Sequence, residues 1–386
     1  MGKDKGLFAL YNETAKWKHM LQNRIKKQQA FFSRKEKGDI LLHINRFSRG
    51  IPYLTNYFYN LLSNKEVIEL LQKKSLEDIT FNYLQQLRYS LFSFYAIEDD
   101  ALPALIEIFF HIGVITSSMT GGKVVFSNQT NWCKHQLNWE EIQKLKFNSE
   151  NPWILFTRGV YQALWKFWDE DFLIGVYVHR SPLDAAWGIL GQSIFEYMYT
   201  EPEKVKYLVN WCCEWSISLE NFLYNNLEFE KGYTGTNGTL LPDRAVVVNG
   251  DPIDLIKSDF AKIFDLPYSS KFFSTFGGGF YHHHSKGLFQ VPLITKINGL
   301  VIQQIMNDYP STVDLAETII NNDVVRENII KSSHIAPIQL DMIPYRFISE
   351  LIPVLKEGRF IIEVICENHD DAKDCIKKIN KINNLK

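Results

Sequence analysis

The sequence has few cysteines, no apolar run of membrane length, no excess of one charge and no Pro/Gly/Ser-rich linker. Each absence removes a class of protein. The five cysteines (Cys133, Cys212, Cys213, Cys366 and Cys375) are odd in number and sparse, unlike a secreted disulfide framework. Cys212 and Cys213 are adjacent in a helical pattern, where they cannot easily pair with each other. The first residues lack the apolar core of a signal peptide, and Gly6 stands where a myristoylation signal after Met1-Gly2 needs Ser or Thr. The most apolar long stretch, 101–119, is interrupted by Glu107 and His111 and is too polar to span a bilayer. The expected setting is a reducing cytoplasm with no membrane partner. Lys plus Arg number 42 against 44 acids, a formal charge of −2, so bulk charge gives no reason to expect a nucleic-acid partner.

What is present can bury a core. The 386 residues are 46% hydrophobic and 14% aromatic, which excludes a disordered chain. That length suits either two domains of ~150 residues or one α/β barrel of ~250 or more. A local basic bias runs from Lys16 to Lys37. It could contact an anionic surface, but it is mixed with Trp17, Met20, Leu21, Phe31 and Phe32. An amphipathic helix packed by those residues is the favoured reading.

Short β-rich runs alternate with longer helical ones. Candidate strands are 40–44, 89–95, 172–179, 245–249, 279–283, 300–306, 335–340 and 360–366. Most are continuously apolar, as strands covered on both faces are. Helical spacing marks 183–199, a second helix opened by Pro202 and running to about Asn226, then 314–330 and 370–385. Eight strands mainly separated by helices predict an α/β fold, a (β/α)8 TIM barrel. The expected division is an N-terminal helical extension over 1–38 and the barrel over 39–386. An inserted loop or hairpin is expected near 120–151.

In such barrels chemistry sits at the C-terminal strand ends. Those ends carry His43, Glu98-Asp99-Asp100, His179-Arg180, Asp251 with Asp254, His282-His283-His284, Asp308 and Cys366. So many polar ends point to a binding or catalytic mouth for a small molecule. Two glycine-rich pieces, 232–238 and 277–279, lack the strand-to-helix context of a nucleotide fingerprint.

From about Asp99 onward the chain resembles the uroporphyrinogen decarboxylase superfamily. The resemblance lies in Asp99-Asp100-Ala101-Leu102-Pro103, Ser181-Pro182-Leu183-Asp184 with Gly191, and Glu201-Pro202-Glu203-Lys204-Val205. It continues through Asn249-Gly250-Asp251, Leu266-Pro267-Tyr268, the histidines 282–284, and Gly299-Leu300 leading into Asp308. The superfamily comprises cytoplasmic barrels that include the haem-pathway decarboxylase and methyltransferases serving corrinoid proteins. The decarboxylases' Arg-x-x-Gly-Arg-Tyr signature has no match in Asn45-Arg46-Phe47-Ser48-Arg49-Gly50. The methyltransferases hold zinc through His-x-Cys and a distant Cys, and the matching positions here are His282, His284 and Cys366. The resemblance thus implies zinc-assisted methyl transfer on a small molecule or corrinoid-bound methyl group, with a corrinoid protein as partner and a homodimer as a family habit. Imidazole in place of a thiolate still ligates zinc.

Residues 282 and 284, two apart on a strand, point to the same side, and His283 points to the other. Asp251 and His282 are the catalytic candidates. His179, Arg180, Asp251, His283 and Asp308 are the substrate-binding candidates. For Arg180 an ion pair with Asp184 is the competing reading, and for Asp254 a helix cap. Two other functions stay open: a metal-independent decarboxylase of a carboxylated substrate, tetrapyrroles included, and a barrel that binds a ligand without turning it over.

Overall fold

The computed structural model describes residues 3–44, 76–95, 97–102, 106–109, 112–126, 131–135, 137–168, 173–226, 235–242, 244–308 and 314–384. The arginine-bearing segment 45–50 and residues 232–234 lie outside the described residues.

Eight strands form one sheet: β1 (Ile40–Ile44), β2 (Ile106–Phe109), β3 (Ile174–Arg180), β4 (Val246–Asn249), β5 (Gly279–His284), β6 (Leu300–Met306), β7 (Ile338–Pro344) and β8 (Phe360–Ile365). Their spatial order is β1-β8-β7-β6-β5-β4-β3-β2, and every neighbouring pair is parallel. Among the described residues no ladder joins β1 to β2. Helices connect most of the strands, as parallel crossovers require.

Side chains alternate between two faces along each strand. On one face of the sheet, here termed the inner face, Leu41, Val176, Val178, Val247, Phe280, Ile302 and Ile361 gather into a single apolar cluster drawn from six strands. On the other, outer face Tyr177, Val246, Val248 and Tyr281 pack against the helices of one half, and Ile40, Leu42, Ile305, Leu340, Ile362 and Val364 against those of the other.

Helix Lys3–Arg34 carries the basic bias, and it buries Trp17, Leu21, Ile25 and Phe31 while Lys16 and Lys26 stay exposed. Arg24 is the exception. It is buried, donates to the carbonyls of Ala101 and Ile97 at 2.7 Å each, and pairs with Asp99. Among the described residues no helix is long and apolar enough to cross a membrane.

The structure corrects the expected strand over 89–95. Those residues end helix Leu76–Tyr95, and the second strand is Ile106–Phe109. Tyr83, Leu84 and Leu87 are buried at helical spacing, and Glu77 and Asp78 favour the helix N-terminus. The aromatic tail alone imitates a strand. Glu98-Asp99-Asp100 therefore precedes the second strand instead of ending it. Asp100 Oδ2 accepts from the Leu42 amide at 2.9 Å and Asp99 Oδ2 from the Ile44 amide at 2.7 Å, along the edge of β1.

Smaller differences have local causes. Gly191, at φ 60°, divides the expected helix 183–199 into Pro182–Leu190 and Ser193–Thr200. Residues 335 and 336 bond back to Ser332, so β7 starts later and reaches Pro344. The segment after Thr120 contains an antiparallel hairpin, Lys123–Phe126 with Asn131–Lys134. A second hairpin, Gly235–Thr236 with Thr239–Leu240, turns through Asn237 and Gly238, both at positive φ.

Candidate metal centre

β4 and β5 are neighbours, with Asn249 opposite His282 in the ladder. This register sets the residue two past Asn249 beside the inner-face histidines. Asp251 begins the short 3-10 helix Asp251–Leu255. One ligand atom each from Asp251, His282 and His284 lies within 4.8 Å of the others.

The details suit a cation. His282 Nε2 and His284 Nε2 are 3.3 Å apart, and Asp251 Oδ1 is 3.8 and 3.7 Å from them. The other ring nitrogens are engaged: His282 Nδ1 meets Gln304 Oε1 at 2.6 Å and His284 Nδ1 meets Asp308 Oδ1 at 2.7 Å. An amide carbonyl oxygen cannot donate, and a carboxylate accepts, so both Nδ1 atoms carry the proton. Both Nε2 atoms then present lone pairs to each other. Asp251 Oδ1 is buried and without a hydrogen-bond partner. Three lone-pair donors facing one point repel unless a positive charge lies among them. Two ligands ~2.05 Å from a tetrahedral ion stand about 3.3 Å apart, close to the histidine separation. Anchoring each metal-binding imidazole through its second nitrogen is the usual support of such centres.

Arg180 supports Asp251. The single guanidinium of Arg180 donates through Nη1 to Asp184 Oδ2 at 2.9 Å and to Asp251 Oδ2 at 3.0 Å. Burial, the largest single effect, works against the ionised Asp251 carboxyl, but Arg180 together with His282 and His284 holds the group below the ordinary carboxylate range. Asp184 has the poorer bargain: burial pushes it up to about 7 against the pull of Arg180. Burial also pushes His282 down to about 4, opposed by Asp251, which leaves a neutral imidazole at neutral pH.

The residues expected from sequence divide cleanly. His282, His284, Asp251, Asp308 and Arg180 converge. The Arg180–Asp184 ion pair is present, and it occupies the guanidinium. His179 is on the opposite face of β3, where Nε2 meets Glu220 at 2.9 Å and the ring packs edge-on against Tyr177 and Phe272. His283 also faces outward, between Asp254 at 3.2 Å and Gln303 at 2.9 Å, and is fully buried. Cys366 does not join the histidines. It is buried in the outer apolar cluster with Cys375, in phase with Ile362 and Val364, three strands away from β5. Asp251 takes the third place in the convergent group. Asp254 is not a simple helix cap: its Oδ2 accepts from the His284 amide at 2.8 Å. A Cβ on Gly287 would come within 1.6 Å of Asp254 Oδ1, so only glycine permits that approach. His43 is fully buried on β1, on the inner face.

Sequence reasoning missed Gln304 and Asp341. Their signal was available, since Gln303, Gln304, Gln339 and Asp341 interrupt otherwise apolar strands and are all buried.

The fold and the convergent site thus define an α/β protein with a parallel central sheet and a candidate metal-binding triad at its strand ends. No protein-family model matches the chain, and no curated protein does so.

Proposed function

We propose that the chain is a metal-dependent (β/α)8-barrel enzyme of the uroporphyrinogen decarboxylase type, with Asp251, His282 and His284 as ligands. The observation that carries this reading is the pair of Nδ1-anchored imidazoles whose Nε2 atoms face each other and the unpartnered Asp251 Oδ1. Closure of the sheet into a barrel is supported by the strand order, in which β1 adjoins β8, and by one inner cluster fed from β1, β3, β4, β5, β6 and β8. The Asp100 amide also donates to the Leu42 carbonyl at 2.8 Å, which brings the approach to β2 against β1.

A divalent ion held by three protein ligands supplies Lewis acidity at its remaining position, where it lowers the pKa of a thiol or water. Zinc suits this donor set, as do other imidazole-binding divalent metals. The chain's own residues do the rest. Arg180 keeps Asp251 ionised and oriented. Asp308 and Gln304 keep the two imidazoles in the ligating tautomer. Methyl transfer to a thiol of a small molecule, from a corrinoid protein or a small methyl donor, is the reaction that the sequence resemblance favours.

A metal-independent decarboxylase would need a cation free for a substrate carboxylate. Arg180 is engaged by Asp184 and Asp251, which weighs against that alternative. The test is single-turnover methyl transfer from a methylated corrinoid to a thiol by the zinc-loaded chain, beside Asp251→Ala. Turnover lost in the variant is expected. Equal rates in both, or porphyrinogen decarboxylation by the metal-free chain, would overturn the reading.

A further inference from the structure

The amide of Gln304 lies between two groups that dictate its orientation. Its Nε2 donates to Asp341 Oδ2. Its Oε1 is thereby turned toward His282 Nδ1, at 2.6 Å, and also accepts from Asn237 Nδ2 at 3.3 Å. With the carbonyl oxygen on its side, Nδ1 of His282 must donate, and the Nε2 lone pair is left toward Asp251 and His284. His284 needs no such intermediary, because Asp308 touches it directly.

Asp341 is itself fixed. Gln339 Nε2 donates to Asp341 Oδ1 at 3.0 Å, and Gln339 Oε1 accepts from Thr239 Oγ1 at 2.9 Å. All of Gln304, Gln339, Asp341 and Thr239 are buried. Directly after Asp341 the register of β7 against β8 shifts between Leu340 and Ile343, and Met342 adopts φ 62°. A non-glycine residue in that region is strained by its Cβ. Such strain persists only where surrounding structure requires it, and it clusters at functional sites.

We propose that Asp341 is a positioning residue which, acting through the Gln304 amide, locks His282 in the tautomer that ligates the metal. The proposal rests on the metal reading of the site. It also explains why buried polar side chains occur in two otherwise apolar strands.

Exchanging donor and acceptor along the relay tests it. Gln304→Glu alone sets a carboxylate against Asp341. Asp341→Asn alone leaves one of the two donating amides facing another NH2 group. The double variant is complementary again: Glu accepts from His282 Nδ1 and from the new amide, whose oxygen still accepts from Gln339. Co2+ is the probe, read by its dissociation constant and its ligand-field spectrum, with thermal melts confirming that each variant is folded. Gln304→Leu and both single exchanges should weaken Co2+ binding about 10–100-fold and alter the spectrum, as loss of a ligand's support does. The double variant should recover to within about threefold of wild type, with the wild-type spectrum restored. Wild-type affinity in Gln304→Leu, or a double variant as weak as the sum of the singles, would overturn the relay alone. A wild-type chain that binds no Co2+ would overturn the metal reading and the relay together.

Discussion

Strand phase decides what each polar side chain can do. His282 and His284 were legible in the sequence because residues two apart on a strand share a face. The same rule carries His179 and His283 to the outer face and brings Arg180 to the site. Cys366 was harder to place, because its phase depends on knowing that Ile362 and Val364 face the helices. Asp251 was visible as a residue following a strand. Its role as a ligand was not, since that depends on the β4·β5 register. A second buried carboxyl makes a prediction about pH. Burial pushes Asp265 up to about 6 from 3.8, although the Tyr281 hydroxyl donates to it at 2.7 Å. The folded state then holds the proton more tightly than the unfolded chain. Its stabilising share is full below about pH 4 and is lost as pH rises through about 6. Asp265→Asn keeps an acceptor for Tyr281 and cannot ionise. Its melting temperature should rise relative to wild type from about pH 4 to pH 6 and then level off, whereas a pH-independent difference would refute the assignment.

At the scale of elements, the N-terminal helix is docked by a buried ion pair as well as by apolar packing. Arg24 reaches Asp99 and two backbone carbonyls, and Asp99 in turn holds the Ile44 amide of β1. Arg24→Met would remove the cation beside the buried Asp99 carboxylate and should cost about 3 kcal/mol in urea unfolding. A loss under about 1 kcal/mol would mean that apolar packing alone docks the helix. Turn chemistry gives a smaller expectation. Gly238 at φ 79° should lose about 1–2 kcal/mol on substitution by Ala, measured the same way. Six of the eight expected strands coincide with observed ones to within about two residues, because their apolar runs have clear ends. The expected strand over 89–95 failed because aromatic residues serve helices and strands alike. The strand at Ile106–Phe109 was hidden within a stretch read for its membrane potential.

For the whole molecule, alternation of strands and helices was enough to expect a parallel α/β sheet. The ladder partners were not readable, since parallel neighbours are far apart in sequence. The site is assembled from four strands and the turns after them, so metal binding should stabilise the entire fold. A ligand at 100 times its dissociation constant adds about 2.7 kcal/mol to a native state that alone binds it. Zinc or Co2+ should therefore raise the melting temperature, and a strong chelator should reverse the shift. An unchanged melting temperature at saturating metal would mean that the triad does not bind it. The most direct measurement is metal stoichiometry by elemental analysis after metal-replete purification, on the wild type, Asp251→Ala, His282→Ala and Cys366→Ala. The expected result is about one equivalent in the wild type and in Cys366→Ala, with less than about a tenth of an equivalent in the other two. A metal-free wild type, or metal lost with Cys366 and kept without Asp251, would contradict the Asp251–His282–His284 centre.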